Sequence, residues 1–406
     1  MRKNVMTFAL LAMTLVMVLS ACGPASATPT ATTEPFVFGM LLVGAKNDQG
    51  WSQATYDGGQ YVVQQIPGSK MLYLENVYSG SPSYPGQTAS QLAEQLVSQG
   101  AKLIFFNSDD MKDEALKFAN ANPTIKVIGV SDDWTWKDGK NYTVSANQVD
   151  IMGRMEYMKM IAGCAAALTT QTGKIGFLGP LINDETRRLA ASAFLGAKYC
   201  WTKVLGKDPA ALTFTVTWIG FWFNIPGVTS DPTQVADNFF NSGYDVVISG
   251  IDTTEALVEA QKAHAAGQSV WALAYDYKSN CGVAPDICLG VPYFNWGPAF
   301  VGTVKTAIDG TWTENFQWNG PDWTNINNPD TGAVGFNKGN GLSADNSTKL
   351  DAFIAQLAAG LNLWTGPINL QDGTVYLTAG TVATDQQIWY LPQLLEGMEG
   401  QSVPSN

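Results

Sequence analysis

The apolar run FVFGMLLV (residues 36–43) is followed by NDQGWSQATYDG (residues 47–58), and these two stretches decide the fold. The first is typical of a buried parallel strand, and residues 52–66 are interpreted as a helix. In an open α/β sheet, ligands bind outside the carboxyl ends of the strands, where a strand passes into a helix. The turn between the two stretches is therefore a candidate ligand-binding loop.

That loop carries residue types suited to a flat polar ligand. Trp51 can offer the face of its ring, and Asn47 and Asp48 can offer hydrogen bonds. An ordinary turn between a strand and a helix, with a half-buried Trp, explains the same residues equally well. The interpretation therefore needs support from the other loops of the sheet.

The alternation of apolar runs and amphipathic helices continues along the chain. Repeated strand–helix units imply right-handed crossovers and parallel sheets, and two series of them predict an α/β fold with two doubly wound, Rossmann-like lobes. The predicted strands are 36–43, 71–77, 102–106, 126–130 and 141–146 in the first series, and 174–178, 212–218, 244–249 and 270–275 in the second. A long helix, residues 149–168, is predicted between the two series.

We expect a first lobe of residues 36–147 plus 276–309 and a second lobe of residues 148–275 plus 310–406. Each lobe then draws on two separate parts of the chain, as lobes joined by a hinge do. Residues 1–21 and 22–35 are assigned to segments that precede the folded body.

The start of the chain is typical of an export signal. Arg2 and Lys3 precede an apolar stretch that ends in Leu-Ser-Ala and Cys22, which resembles the lipobox of bacterial lipoproteins. A plain secreted protein would leave Cys22 without a role. We therefore expect Cys22 to be lipidated after removal of residues 1–21, with residues 22–35 as a Thr/Pro-rich tether. The body would lie on the extracytoplasmic face of the cell membrane.

The charge of the chain restricts its partners. Its formal net charge is −12, so we expect no nucleic-acid partner, and we expect a monomer. The arginines outside the signal are Arg154, Arg187 and Arg188, and none lies in a loop that follows a predicted strand. Because Arg is the usual partner of carboxylates and phosphates, we infer a ligand that carries neither group.

The cysteines and the single histidine bear on disulfides and metals. An even number of cysteines outside the cytoplasm suggests disulfides. Cys281 and Cys288 flank a short loop and are the preferred pair, and Cys164 with Cys200 is the other. His264 is the only histidine of the chain, so we expect no metal site, and we expect no cofactor.

The residues that follow the predicted strands share one chemistry, because they are aromatic, or polar and neutral or acidic. Two facing aromatics would clamp a flat ring, and each stack contributes roughly 1–3 kcal/mol. A micromolar site needs about 8 kcal/mol, so hydrogen bonds from Asn and Asp must supply the rest. The candidate ligand-binding residues are Asn47, Asp48, Trp51, Asn107, Trp134, Trp218, Phe221, Trp222, Gly250, Asp252, Asp276, Asn295 and Trp296.

Several of these residues also have an ordinary structural explanation. Asp252 can be a helix cap that pairs with Glu255, Asp276 can be a turn residue, and any single Trp can be a packing residue. Ser108, Asp109, Ser131 and Tyr275 stand in the same group of loops.

The motifs of common enzymes are missing from the sequence. There is no HExxH, no P-loop and no recognisable Ser or Cys nucleophile motif, so we predict that the chain is not an enzyme. The adjacent acids Asp132 and Asp133 leave a minor possibility of acid–base chemistry, as in a secreted nucleoside-processing enzyme.

Four stretches resemble the basic membrane protein family, the substrate-binding lipoproteins of ABC importers. They are the loop 47–58, the helix 152–167 with TGKIGFLG (172–179), DPT (231–233) with GYDVV (243–247), and NWGP (295–298) with DGTW (309–312). The resemblance runs from about residue 36 to residue 318. Residues 320–345 look like an insertion.

The resemblance implies a type I periplasmic-binding fold with a hinge of three crossings, and an ABC permease as partner. It implies a purine nucleoside or, in the branch with Gly-Trp in the first loop, a purine base as ligand. Asp48 and Asp276 match the family's polar contacts, and Trp218, Phe221 or Trp222 would supply the aromatic that faces Trp51. The Lys that nucleoside binders carry near Asn295-Trp296 is missing here. A sugar or sugar-like signal is the alternative ligand, and a receptor for a sensor kinase would have the same fold.

Overall fold

The computed structural model describes residues 34–404, and these form two α/β lobes. The predicted signal, Cys22 and nearly all of the predicted tether lie outside the described residues. Across residues 34–404, none of the helices is both long enough and apolar enough to span a bilayer.

The first lobe contains a parallel sheet of six strands, in the order β11-β5-β4-β3-β1-β2. Its central strands are apolar on both faces, so helices must cover both sides of the sheet. The strands are β1 (Phe36–Leu41), β2 (Ser69–Leu74), β3 (Leu103–Phe106), β4 (Lys126–Val130), β5 (Gln148–Gly153) and β11 (Asn315–Asn319). The helices are α1 (Trp51–Gln65), α2 (Ala89–Ser98), α3 (Lys112–Ala121) and α8 (Gly297–Ile308), which packs on α1.

The second lobe contains a sheet of seven strands, in the order β12-β10-β9-β8-β6-β7-β15. All neighbours are parallel except β12, which runs antiparallel to β10. The strands are β6 (Lys174–Gly179), β7 (Thr213–Trp218), β8 (Val246–Ser249), β9 (Trp271–Leu273), β10 (Cys288–Phe294), β12 (Val334–Lys338) and β15 (Met398–Glu399). The helices are α4 (Met155–Thr169), α5 (Asp184–Tyr199), α6 (Pro232–Asn241), α7 (Glu255–Ala265) and α9 (Ala344–Ala358).

The described chain passes between the two sheets three times, after β5, between β10 and β11, and between β11 and β12. This corrects the expected lobe boundaries at both hinge regions. Strand β5 belongs to the first sheet, although residues from 148 onward were assigned to the second lobe. Strand β10 belongs to the second sheet and β11 to the first, the reverse of the expected assignment. Residues 320–345, which looked inserted, contribute the strand β12 to the second sheet.

The strand β5 was missed because two of its residues are polar. Residues 141–146 were predicted as the fifth strand, and the helix that begins at Met155 was predicted from residue 149. In the structure Gln148 donates to Asp150 (2.7 Å), which also accepts from the backbone and hydroxyl of Thr135 (2.7 and 3.0 Å). These bonds satisfy the carboxylate of Asp150 and pair the amide N–H of Gln148 inside the sheet, so a buried strand does not show an apolar pattern.

Both cysteine pairs considered from the sequence are disulfides. Cys164 of α4 is bonded to Cys200, which follows α5, so the disulfide joins two packed helices. Cys281 is bonded to Cys288, the first residue of β10.

The C-terminal strap, residues 385–404, contacts both lobes. It contains the short helix α10 (Asp385–Trp389) and strand β15, which pairs with β7 of the second lobe. The hydroxyl of Tyr390 donates to Asp133 of the first lobe (2.5 Å), and its ring stacks on Trp136 (centroids 5.7 Å apart). On the second lobe, Arg187 donates to the carbonyl of Leu391 (2.7 Å). The strap therefore bridges the opening between the lobes.

The hairpin of β13 (Ile368–Asn369) and β14 (Val375–Leu377) precedes the strap.

Candidate ligand-binding site

A cavity lies between the two lobes at the carboxyl ends of their strands. It leaves room for about one water molecule in this closed arrangement, so the lobes must stand further apart to admit and hold a ligand. It is lined by Trp51, Ser108, Asp109 and Ser131 of the first lobe and by Glu185, Trp222, Asp252 and Tyr275 of the second. We call it the ring cavity.

Trp51 is held rigidly on the first lobe. Its indole N–H donates to the backbone carbonyl of Asn107, and its ring packs edge-to-face on Phe294 and Trp296, with centroids 5.0 and 5.3 Å away. Edge-to-face contacts stabilise aromatic pairs beyond the area they bury. The exposed part of the ring therefore faces the cavity in one fixed orientation.

Asp48 positions Trp51 by capping the helix that Trp51 begins. Its carboxylate accepts hydrogen bonds from the backbone N–H groups of Gly50 (2.8 Å), Ser52 (3.1 Å) and Gln53 (2.9 Å). These are the N–H groups that a helix leaves unsatisfied at its start. Burial raises the pKa of Asp48 to about 6, although the three hydrogen bonds act to lower it.

Trp222 lies in the loop that follows β7, on the opposite wall. Its backbone carbonyl accepts from the N–H of Asp252 (2.9 Å), so the two loops that carry these residues are tied together. One indole from each lobe therefore lines the same cavity. This is the arrangement that a clamp for a flat ring requires.

The acids of the second lobe are strongly perturbed. Burial raises the pKa values of Asp252 and Asp276 well above the usual range; the charge of Asp276 adds to the rise at Asp252, and the charge of Lys159 opposes the rise at Asp276. Lys159 lies fully buried beside them, donates to the carbonyl of Ser249 (2.8 Å) and stands 3.2 Å from the centre of the Tyr275 ring. Burial lowers the pKa of Lys159 to about 7. Burial favours the uncharged form of a carboxyl group, which can both donate and accept hydrogen bonds. Such groups suit a polar ring without charge.

Direct contacts hold the lobes together around the cavity. The hydroxyl of Ser131 donates to Glu185 across the cleft (2.6 Å). Burial raises the pKa of Glu185. At the far side, Asn280 donates to the backbone carbonyl of Gln49 (2.5 Å). The structure therefore represents the closed form.

Three of the candidate residues, Trp51, Trp222 and Asp252, line the ring cavity. Asp252 is not the expected helix cap, because α7 begins after Thr254. Asn107 lies beneath Trp51 and accepts from the N–H of Val43 (2.8 Å). Asp48 and Asp276 lie behind the cavity wall, in the cap and the acid cluster.

The other aromatic candidates do not line the cavity. Trp134 donates to the carbonyl of Lys112 (3.1 Å), and Trp218 donates to that of Gln401 (2.7 Å). Phe221 packs on Phe223, with the centroids 5.0 Å apart. Trp296 is stacked between two phenylalanines, Phe294 and Phe300, inside the first lobe.

The remaining polar candidates also have structural roles or lie at the surface. Asn47 is exposed. Gly250 packs against the ring of Phe177, where a Cβ would stand 2.6 Å from a ring carbon. Asn295 donates to the carbonyls of Pro329 (2.9 Å) and Gly332 (2.7 Å) and so holds the loop that precedes β12.

Glu185 is a cavity residue that the aromatic loops do not indicate, because the loop after β6 contains no aromatic residue. The same rule of strand ends would have found it, since Glu185 lies in the first turn after that loop. In residues 34–404, no group of three or more His, Cys, Asp or Glu side chains is arranged to hold a metal ion.

Comparison with known proteins identifies the family. The sequence model of the Bmp family, described as ABC transporter substrate-binding protein PnrA-like, matches residues 36–353. The chain belongs to this family. The Bmp family consists of substrate-binding proteins rather than enzymes, and substrate-binding proteins of ABC importers act outside the cytoplasm. The resemblance inferred from the sequence is thereby confirmed.

Relatives of this Bmp-family protein include two proteins with described ligands. It is 26% identical over 359 residues to a purine-binding protein of Brucella abortus, across 87% of this chain and 90% of the relative. It is 30% identical over 201 residues to the nucleoside-binding protein BmpA of Lactococcus lactis, across 49% of this chain and 54% of the relative. A solved solute-binding protein of an ABC transporter from Aeropyrum pernix superposes with a TM-score of 0.62 at 14% identity, covering 83% of this chain and 93% of that one. The fold is that of type I periplasmic solute-binding proteins.

Proposed function

We propose that this Bmp-family protein is a lipid-anchored receptor that captures a purine base or nucleoside between its lobes and delivers it to an ABC permease. The observation that carries the proposal is the pair Trp51 and Trp222, one from each lobe, on a single cavity. Two aromatic stacks would contribute roughly 2–6 kcal/mol together, at about 1–3 kcal/mol each. The ligands named for the relatives in Brucella and Lactococcus belong to the same class.

The polar lining supports the same ligand class. A purine presents N–H groups and ring nitrogens at its edge, and these need partners of both kinds. Asp252 and Glu185 can accept from N–H groups, and Ser108 and Ser131 can donate or accept. The carboxyls with raised pKa values suit a neutral ring better than a charged one.

Closure completes the site only when both walls contact the same ligand. A ligand shifts the equilibrium between open and closed forms by the contacts that it makes in the closed form alone. A ring stacked between the two indoles has that property, because each indole belongs to a different lobe. The closed, loaded form would be the form that the permease recognises.

Thermal shift and calorimetry of the mature chain test the ligand class. Residues 22–406 would be purified with Cys22→Ser, so that no lipid is attached. The panel would contain adenine, hypoxanthine, guanine, their nucleosides, ribose, glucose and galactose. A ligand at a thousandfold its dissociation constant should stabilise the fold by about 4 kcal/mol.

The outcomes separate the alternatives. Stabilisation by purines but not by sugars supports the proposal, and stabilisation by sugars alone would make the chain a sugar receptor. If nothing stabilises it, mass spectrometry of the denatured protein would show whether a ligand already occupied the site.

The lipid anchor needs a separate experiment. Cells expressing the wild-type chain or Cys22→Ser would be labelled with a radioactive fatty acid. We expect label and membrane association in the wild type and neither in the variant. Equal membrane association of both would contradict anchoring through Cys22.

A further inference from the structure

Arg188 is buried, and its Nε lacks a protein partner among the described residues. It is 1% exposed, and its Nε makes no hydrogen bond with any residue from 34 to 404. The face of its guanidinium packs 4.1 Å from the ring centre of Trp389 and 5.8 Å from that of Trp318. Stacking fixes the plane of the group but provides no acceptor for its N–H groups, which point within that plane. Buried donors without acceptors destabilise a fold, so this one requires an explanation.

The two other described arginines differ from Arg188 in this respect. Arg187, the preceding residue, donates to the carbonyl of Leu391 (2.7 Å) and pairs with Asp184. Arg154 pairs with Asp385 (2.5 Å). The positive charge of Arg188 acts on the carboxyls of Glu156 and Glu185. A hydrogen bond also requires an acceptor at a defined distance and angle, and this charge interaction alone does not provide one.

Arg188 faces a second opening that continues the ring cavity. This side cleft, about 350 Å³, lies between the lobes and the C-terminal strap. Asp109, Ser131 and Glu185 line both the ring cavity and the side cleft, so the two spaces adjoin, and the hydrogen bond from Ser131 to Glu185 lies at their boundary. A ring held by the two tryptophans would therefore present one edge towards Glu185 and, beyond it, Arg188.

The charges of the side cleft favour a neutral acceptor for Arg188. Its walls include four carboxyl groups, and its two other cations are already paired, Lys112 with Asp109 (3.0 Å) and Arg187 with Asp184. An anionic ligand group would lie among these carboxylates and be repelled by them. A carbonyl oxygen accepts from the guanidinium without adding charge.

Glu185 provides the complementary partner. It lies three residues before Arg188 on α5, and side chains at this spacing are neighbours on one face of a helix. An acceptor therefore stands beside a donor. We infer that Glu185 and Arg188 together recognise an edge of the ligand that carries an N–H group beside a carbonyl oxygen, as in the lactam of a 6-oxopurine. This inference rests on the proposed function, and it narrows the substrate class to oxopurines.

Hypoxanthine and adenine distinguish this arrangement from a general purine site. Hypoxanthine presents a carbonyl oxygen and an N–H at the edge where adenine presents an amino group and a bare ring nitrogen. Arginine pairs with the acceptor edge of guanine in DNA recognition, whereas adenine is matched by Asn or Gln. With adenine bound, Arg188 would face a donor and Glu185 would face a lone pair.

The test is calorimetry of the mature chain (residues 22–406 with Cys22→Ser) with hypoxanthine and with adenine. We expect hypoxanthine to bind at least tenfold more tightly. Arg188→Met, which keeps the length of the side chain and removes its donors, should weaken hypoxanthine binding more than tenfold and adenine binding less than threefold. Arg187→Met is the matched control and should keep the preference, because its donors are already used within the protein.

Equal binding of the two purines by the wild type would overturn the inference and leave the proposed function standing. The same holds if Arg188→Met keeps the preference or if Arg187→Met loses it. Binding of neither purine would overturn both. If circular dichroism shows that Arg188→Met does not fold, Arg188→Lys keeps the charge without the planar fork and should reduce the preference.

Discussion

Gly50 and Asp252 touch across the cleft, with the carbonyl oxygen of Asp252 directly over the Cα of Gly50. A Cβ at position 50 would stand 1.7 Å from that oxygen. Gly50 immediately precedes α1 on the first lobe, and Asp252 belongs to the cavity wall of the second. The closed form therefore requires a glycine at position 50, because any side chain there would meet the backbone of the opposite lobe.

Gly50→Ala should prevent full closure. We expect ligand affinity to fall at least tenfold, because contacts unique to the closed form are lost. Calorimetry measures the affinity, and small-angle scattering with ligand present should show a larger radius of gyration than that of the wild type. Gly302→Ala, on α8 where a Cβ meets no atom within 4 Å, is the control and should change neither. Wild-type affinity in Gly50→Ala would contradict the closure model.

Trp222→Ala should remove one face of the proposed clamp. A lost stack of roughly 1–3 kcal/mol corresponds to an affinity about 5- to 150-fold weaker. Trp134→Ala is a suitable control, because Trp134 lies outside the ring cavity, and we expect its affinity to stay within about twofold of the wild type by titration calorimetry. An equal loss in both variants would show that the effect is structural and not stacking.

Lys159 should make stability depend on pH above neutrality. Its pKa is about 7 in the folded protein and about 10.4 in an unfolded chain, so the unfolded chain binds one more proton between these values. The contribution of Lys159 to the free energy of unfolding should therefore rise with pH in this window, by up to about 1.4 kcal/mol per unit, whereas Asp252 and Asp276, with their raised pKa values, contribute in the opposite direction. Asp276 and Glu185, which face Lys159, act in the opposite direction on its pKa but do not cancel the effect of burial.

Lys159→Met should abolish that slope. Urea unfolding at pH 7, 8 and 9 would measure it, with the exposed Lys174→Met as the control that keeps the slope. The pKa values of Asp48 and Glu156 are raised to about 6 and about 7, so these carboxyls lower the free energy of unfolding as the pH rises towards neutrality. Above pH 7 they add little further pH dependence. Identical pH profiles for wild type and Lys159→Met would refute the prediction.

The two disulfides should differ in their contribution to stability. Cys164–Cys200 spans 36 residues and Cys281–Cys288 spans 7. In the chain-entropy model these loops correspond to about 4 and about 2 kcal/mol. We expect the double Ala variant of the first pair to lose more free energy of unfolding in guanidinium titrations. The opposite order would show that local packing outweighs the closure of the loop.

The two-lobed fold was predictable because parallel strands buried on both faces are continuous apolar runs, as in β1 and β3. The prediction was wrong where a buried strand contains polar side chains that bond to each other, as Gln148 and Asp150 do in β5. It was also wrong for β10 and β11, because an apolar run shows that a strand is buried but not which of two sheets contains it. Those assignments depend on contacts between residues far apart in the chain.

The site was predictable at the level of loops but not of side-chain direction. The rule of strand ends found Trp51, Trp222 and Asp252, which line the ring cavity. It also selected Trp296, which stacks inside the core, because the rule says which loop lies at the cleft and not where each ring points. Arg188 was set aside because it lies on a helix and not in a loop, although the first turns of that helix reach the cleft.

The C-terminal strap contacts both lobes and lies beyond residues 36–353, the part that the family shares. Trp389 of the strap stacks on Arg188, but the bonds from Tyr390 to Asp133 and from Arg187 to Leu391 involve no residue that would touch the ligand. The fraction of molecules able to close therefore depends partly on contacts that are indifferent to the identity of the solute. A change at Tyr390 or Leu391 would multiply the apparent dissociation constants of all solutes by one common factor. How tightly this receptor holds its cargo and which cargo it prefers can thus vary independently over evolution.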